Sequence, residues 1–163
     1  MNKKIDTNSN INTNLYTVLL IFFSTLIIGF LSLACTNYPL FNWPLQYPFY
    51  VSNWVLPFLF LTTFAILGEG VCLMWTLKSK HRETKKSNLV LHFVCIVMLA
   101  TWPMLLLLIR SPIVAICVLC LTTLLMIYMT YRFLSSSIWA GSMYAICTAF
   151  LIALVALNFW WIF

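Results

Sequence analysis

The sequence predicts an all-α integral membrane protein, a bundle of five transmembrane helices with short loops. Five apolar stretches occupy most of the 163 residues, and each has the length, ~20 residues, that a helix needs to cross a bilayer. Hydrophobic residues make up 63% of the chain and charged residues 7%, which is too little polar surface for a soluble domain. Open strands would leave backbone groups unpaired in lipid, and a barrel would show short alternating segments instead of continuous apolar runs.

The first predicted span, residues 15–35, follows a segment rich in Asn and Thr. We expect residues 1–14 to form a disordered polar tail and residues 15–163 to form a single five-helix domain. The first apolar run is longer than the about 7–15 residues typical of a signal-peptide core. We therefore interpret it as a retained helix.

The second predicted span, residues 54–77, contains a carboxylate inside an apolar stretch, Glu69, which stands between Gly68 and Gly70. A charge at the bilayer centre costs roughly 2.5–3.5 kcal/mol on insertion scales, so such residues usually face the protein interior. Three interpretations stay open: a protonated side chain bonded to another helix, an ionised one paired with Arg132 or a loop lysine, or one that lines a polar path. The flanking glycines would let a neighbouring helix approach closely.

The third predicted span, residues 89–109, has a histidine at its start and a tryptophan well inside it. His92 has no second histidine one turn away, so the sequence does not support haem ligation by a histidine pair. Tryptophans of membrane proteins usually form belts at the two interfaces. Trp102, which directly precedes Pro103, lies too deep in the span to fit such a belt.

The fourth and fifth predicted spans are residues 112–131 and 138–163. Cys117 and Cys120 have CxxC spacing in the fourth, but on a helix they form an i, i+3 pair on one face. With no second pair and no nearby histidine, we expect them to pack as small apolar residues. Phe150 lies in the middle of the fifth span.

Nearly all of the basic residues fall on one side of the predicted bundle. If the N-terminus is cytoplasmic, Arg110 alone among the nine Lys and Arg residues lies on the far side, which is the positive-inside pattern. We therefore expect the N-terminus and the Lys78–Lys86 loop in the cytoplasm, and the first loop and the C-terminus on the opposite side. The net charge of +6 thus indicates topology, and we expect no nucleic-acid partner. Contact of the Lys78–Lys86 cluster with anionic lipid head groups is a second role that stays open.

Conventional enzyme chemistry has little material in this sequence. Only three acids are present, and no Ser-His-Asp set, paired carboxylates or Gly-rich phosphate loop accompanies them. We expect no hydrolytic or phosphoryl-transfer activity, no metal site and no required cofactor.

Aromatic residues inside the spans are the second informative feature of the chain. Phe60 and Phe64 are i, i+4 neighbours on one face of the second span. Together with Trp102 and Phe150 they could face lipid, pack between helices, or line an apolar pocket for a flat ligand.

Three segments, in order, carry a resemblance to a known family. Trp54-Val55-Leu56-Pro57 precedes Phe60, Phe64 and Gly68 in the second span, Trp102-Pro103 precedes Arg110, and Ala156-Leu157-Asn158 precedes an aromatic residue near the end of the chain. A loop with Pro and Trp, residues 38–53, comes before the second span. Over roughly residues 25–161 the chain resembles the TspO/translocator protein family, the tryptophan-rich sensory proteins once called peripheral benzodiazepine receptors.

The resemblance implies a five-helix bundle, often dimeric, with a pocket that opens towards the first loop. Family members bind porphyrins, haem and small hydrophobic ligands, and they have been proposed to transport, sense or degrade them. By position, the implied pocket residues are Trp54, Phe60, Phe64, Trp102 and Phe150, with Trp43 in the lid. Possible polar contacts are Glu69 and Asn158, although an interhelical hydrogen bond is the other role open to Asn158. The implied partners are membrane lipids, a porphyrin or other small hydrophobic ligand, and a second copy of the chain.

Two other functions stay open. The chain could be an accessory or assembly subunit that packs against a larger membrane complex and binds no small molecule. It could also degrade a porphyrin, although the sequence offers no conventional acid–base set for that reaction.

Overall fold

In a computed structural model of the protein, the described residues are 3–35, 55–76, 82–107, 109 and 111–162. Side chains are described for residues 15–34, 57–76, 85–106, 109 and 111–160. The predicted pocket residues Trp43 and Trp54, and Arg110, lie outside the described residues.

Five α-helices account for nearly all of the described residues, which include no strand. They are α1 (Lys3–Cys35), α2 (Val55–Thr76), α3 (Arg82–Leu107), α4 (Pro112–Leu134) and α5 (Ile138–Ile162). Each contains a segment long and apolar enough to cross a membrane. The predicted fold class is confirmed: the chain is a multi-pass integral membrane protein built as an all-α five-helix bundle.

Two helices begin earlier than the apolar runs that predicted them. The structure continues α1 back to Lys3, through most of the segment predicted as a disordered tail, and begins α3 at Arg82 instead of residue 89. Neither extension contains Pro or Gly, and adding residues to an existing helix gains one hydrogen bond each without a new nucleus. In α3 the extension also has a partner, since Lys85 Nζ donates to the carbonyl oxygen of Trp75 (2.8 Å) in the last turn of α2.

The five helices pack as a closed ring in the order α1, α2, α5, α4, α3, with α3 returning to α1. α2 runs antiparallel to both of its ring neighbours, α1 and α5, and one cysteine contact joins it to each of them. Cys72 Sγ donates to the carbonyl oxygen of Val18 (3.3 Å), and Cys147 Sγ donates to that of Thr63 (3.7 Å). We call the end at which α1, α3 and α5 begin the basic end, because it carries Lys85, Lys86 and Arg132. The end at which α2 and α4 begin is the opposite end.

Glycines set how closely α2 approaches its two neighbours in the ring. A Cβ added to Gly68 would lie 3.1 Å from the Phe22 ring of α1, and one added to Gly70 would lie 2.9 Å from the Tyr144 ring of α5. The close helix approach expected at these two glycines is therefore present on both sides of α2. On α1, a Cβ added to Gly29 would lie 2.6 Å from Cγ of Phe64.

Candidate functional site

Three of the aromatic residues predicted for a pocket come together between α2 and α3. The ring centroids of Phe60 and Phe64 are 4.9 Å apart, and those of Phe60 and Trp102 are 6.4 Å apart with an interplanar angle of 39°. Phe60 is 4% exposed, Phe64 0% and Trp102 3%. These three residues, which we call the aromatic cluster, lie in the half of the bundle next to the opposite end.

The aromatic cluster is tightly packed where Phe64 meets α1. Gly29 brings the backbone of α1 against the Phe64 ring, so this ring has no room to move towards α1. Phe60 lies one turn nearer the opposite end, three residues after Pro57, and Trp102 lies four residues before Leu106. Phe60 therefore lies nearer the opposite end of the bundle than Phe64 does.

Trp102 leaves a polar atom unpaired inside the bundle. Its indole Nε1 is fully buried and has no hydrogen-bond partner among the residues that the structure describes. An indole N–H is a donor only, and a buried donor without an acceptor costs about 1–3 kcal/mol. The cluster thus combines three buried aromatic rings with one hydrogen-bond donor that has no described acceptor.

The backbone around Trp102 departs from a regular helix. Pro103 cannot supply the N–H that would bond to the carbonyl oxygen of Leu99. Ser32 Oγ of α1 donates to the next carbonyl oxygen, that of Ala100 (2.6 Å). Past the end of α3, the Ile109 N–H bonds to the carbonyl oxygen of Met104 (3.3 Å), five residues back in the chain. Ser32 therefore ties α1 to α3 where the proline weakens the α3 ladder.

The other predicted site residues take different positions. Phe150 is half-buried against the core and makes no ring contact with a described aromatic residue. Asn158 is 1% exposed, but its Nδ2 donates to the carbonyl oxygen of Leu154 (2.7 Å) in its own helix. The structure thus gives this amide group an intrahelical bond in place of the interhelical one considered from the sequence.

Glu69 lies on the exposed face of α2, and no described side chain, Arg132 included, forms an ion pair with it. The ring order gives the reason. Gly68 faces α1 and Gly70 faces α5, and successive helix positions are about 100° apart, so the residue between them points away from both neighbours. This outward position does not fit two of the three interpretations of Glu69, a hydrogen bond to another helix and the lining of a polar path.

The most extensive buried polar contact joins three helices through His92. His92 Nε2 lies 3.1 Å from Thr25 Oγ1 of α1, and His92 Nδ1 lies 2.6 Å from the hydroxyl oxygen of Tyr144 of α5. All three residues are 0% exposed. Phe133 of α4 packs edge-on against Tyr144 with centroids 4.4 Å apart, and Gly70 of α2 makes room for the same ring. We call Thr25, His92 and Tyr144 the polar triad.

The proton positions in the polar triad follow from its outermost bond. Thr25 Oγ1 donates its hydrogen to the carbonyl oxygen of Ile21 (2.9 Å), so towards His92 it can only accept. His92 Nε2 must then carry the hydrogen, and Nδ1 is left to accept from the Tyr144 hydroxyl. Neutral His92 satisfies both ring nitrogens, and the triad holds α1, α3 and α5 together instead of presenting a reactive group to a substrate.

The sequence interpretation missed the polar triad because its members are far apart in the chain and each looks ordinary alone. Without a second histidine one turn away, His92 shows no haem-binding pattern, and the sequence alone does not identify its partners. The usable signal was His92 itself, since an ionisable residue inside a span is rare and normally has a partner on another helix.

The described residues contain no group of three or more His, Cys, Asp or Glu side chains that could hold a metal ion. Cys117 is exposed and Cys120 half-buried on α4, whereas Cys72, Cys95 and Cys147 are buried. Two of these buried thiols bond to a carbonyl oxygen of a neighbouring helix, as described above, which is a packing role.

Comparison of the chain with protein-family models, curated proteins and solved structures finds no match. The resemblance to the TspO family therefore rests on the residues of this chain alone.

Proposed function

We propose that the protein binds a small, flat, hydrophobic ligand, of which a porphyrin is one example, at the aromatic cluster, in the manner of the TspO family. The observation that carries this proposal is the contact of Phe60 with Trp102, whose buried Nε1 is unpartnered. Binding sites for such ligands are mostly apolar and aromatic, with few polar groups that set the orientation of the guest. The aromatic cluster has this composition.

The position of the cluster also supports the proposal. It lies in the half of the bundle where α1 ends and α2 begins, and these are the two helix ends that the first loop joins. In the proposed mode Trp43 and Trp54, from the segment before α2, cover a guest that stacks on Phe60 and Trp102. In this mode the tightly packed Phe64 and Gly29 form the floor of the site, and the guest approaches from the side of Phe60.

Titration with protoporphyrin IX in detergent tests the proposal through the quenching of tryptophan fluorescence. We expect saturable quenching with a Kd below ~100 µM, equivalent to more than about 5.5 kcal/mol of binding free energy. Phe60→Ala and Trp102→Phe should weaken binding several-fold. Trp139→Phe is the matched control, because it also removes one tryptophan, but an exposed one at the basic end.

Linear, unsaturable quenching that is equal in all four proteins would contradict the proposal, because it would reflect only partition of the porphyrin into the micelle. Purification with a fixed stoichiometric partner and no response to porphyrin would favour the accessory-subunit alternative.

We further propose that the basic end faces the cytoplasm. Lys85, Lys86 and Arg132 share this end, and the charge rule places such residues on the cytoplasmic side. Single cysteines introduced into a cysteine-free variant at Ser87 and at Phe159, near the two ends, test it with an impermeant maleimide on intact cells. Labelling at position 159 but not 87 is expected, and the reverse pattern would overturn the orientation.

A further inference from the structure

The unpartnered indole of Trp102 restricts which ligand the aromatic cluster can take. We propose that the preferred ligand carries a neutral hydrogen-bond acceptor, a carbonyl or ether oxygen, that accepts from Trp102 Nε1; protoporphyrin IX, whose oxygens all belong to carboxylates, would stack on the rings without this bond. This inference rests on the proposed function and goes beyond it, because stacking on rings alone would require only a flat apolar guest.

The described residues do not supply an acceptor for Trp102 Nε1. Three described hydroxyls on the helices around the cluster already have their hydrogens engaged: Ser32 with Ala100, Thr63 with Leu59 and Thr101 with Met98. None of their oxygens accepts from Trp102. The face of Trp102 towards α2 meets the apolar ring of Phe60. An acceptor for Nε1 must therefore come from outside the described residues.

The location of Trp102 makes the missing acceptor costly. Within a bilayer no bulk water is at hand to bond a buried polar group. A guest with a correctly placed oxygen satisfies the donor, whereas a pure hydrocarbon covers it and leaves it unpaired. Sites built around a buried polar group reject the analogue that lacks the matching atom.

The charge distribution favours a neutral acceptor over a carboxylate. The described charged side chains are Glu69, Lys85, Lys86 and Arg132, and all belong to the half of the bundle next to the basic end. An ionised ligand group at Trp102 would lose its hydration without a described cation to compensate it. A ketone, amide, ester or ether oxygen has no such cost.

Two ligands of the same shape distinguish the contribution of the acceptor to affinity from that of ring stacking. Fluorene and 9-fluorenone share a flat tricyclic frame, and only the second has a carbonyl oxygen. We expect wild-type protein in detergent to bind fluorenone at least about fivefold more tightly than fluorene, as one satisfied buried hydrogen bond implies. Trp102→Phe should abolish this preference, and Trp139→Phe should retain it. Dividing the fluorenone-to-fluorene affinity ratio of one protein by that of another cancels the partition of each compound into the micelle.

A second measurement uses the unmodified protein, in case Trp102→Phe does not fold. With ¹⁵N-labelled tryptophan, saturation with fluorenone should move one indole N–H proton resonance downfield, and fluorene should not. Equal affinity for both compounds with no indole shift would overturn the inference while leaving the proposed function intact. Tighter binding of fluorene-9-carboxylate than of fluorenone would overturn the proposal that the ligand's acceptor is neutral. Failure of all three compounds and of protoporphyrin to bind would overturn the proposed function and the inference together.

Discussion

The Nδ1 atom of His92 lies 2.6 Å from the hydroxyl oxygen of Tyr144, and both side chains are fully buried. This contact joins α3 to α5 across the ring of helices, and Thr25 extends it to α1. Each member of the polar triad donates one hydrogen bond of its own. Removing one polar group at a time therefore tests the contribution of each contact.

Tyr144→Phe removes the hydroxyl that His92 Nδ1 accepts from and leaves that nitrogen buried without a donor. We expect the free energy of unfolding in SDS titration to fall by about 1–2 kcal/mol. Tyr131→Phe is the control, since Tyr131 is exposed, and should change stability by less than about 0.5 kcal/mol. Equal effects of the two substitutions would show that the Tyr144 hydroxyl contributes nothing specific.

Thr25→Val removes the acceptor of His92 Nε2 while keeping the shape of the side chain. A loss of about 1–2 kcal/mol is expected, and Thr25→Ser, which keeps the hydroxyl, should lose less. The double variant Thr25→Val/Tyr144→Phe should be non-additive by at least about 0.5 kcal/mol, because both changes act on one imidazole. Strict additivity would mean that the three residues do not act as a unit.

Gly70→Ala should destabilise the bundle, although alanine is the better helix former by about 1 kcal/mol. The new Cβ would lie 2.9 Å from two carbons of the buried Tyr144 ring, and we expect a net loss of about 1–3 kcal/mol from the forced shift. Gly68→Ala is the matched control. Its Cβ would meet the partly exposed Phe22 at 3.1 Å, so its loss should be smaller. A stabilised Gly70→Ala protein would contradict the close approach of α2 and α5.

Ser32→Ala removes the bond from α1 to the carbonyl oxygen of Ala100. Interhelical hydrogen bonds in membranes contribute roughly 0.6–1.7 kcal/mol, so a loss in that range is expected from SDS titration. Ser24→Ala removes a bond to Ile21 within α1 itself and should have a smaller effect. If Ser24→Ala costs more than Ser32→Ala, the bond between α1 and α3 is not the stronger constraint.

Glu69→Gln tests whether this outward-facing residue takes part in ligand binding. Because the side chain is exposed and has no described ion-pair partner, we expect a change in stability within about 0.5 kcal/mol and an unchanged protoporphyrin titration. A large loss of binding would restore the interpretation that Glu69 lines a path to the ligand.

The sequence by itself determined that the protein lies in a lipid bilayer, and it determined the number of helices and their order along the chain. These depend on the length and continuity of apolar runs, which are local properties. The i, i+4 spacing of Phe60 and Phe64 is local in the same sense, so their shared face could be predicted. The tertiary structure decided what depends on the ring order of the helices and on the rotation of each about its axis. It brought Trp102 against Phe60 and turned Glu69 outwards between two inward glycines. It also joined Thr25, His92 and Tyr144 from three helices, because hydrogen bonds in lipid connect whichever buried polar groups the packing brings within reach.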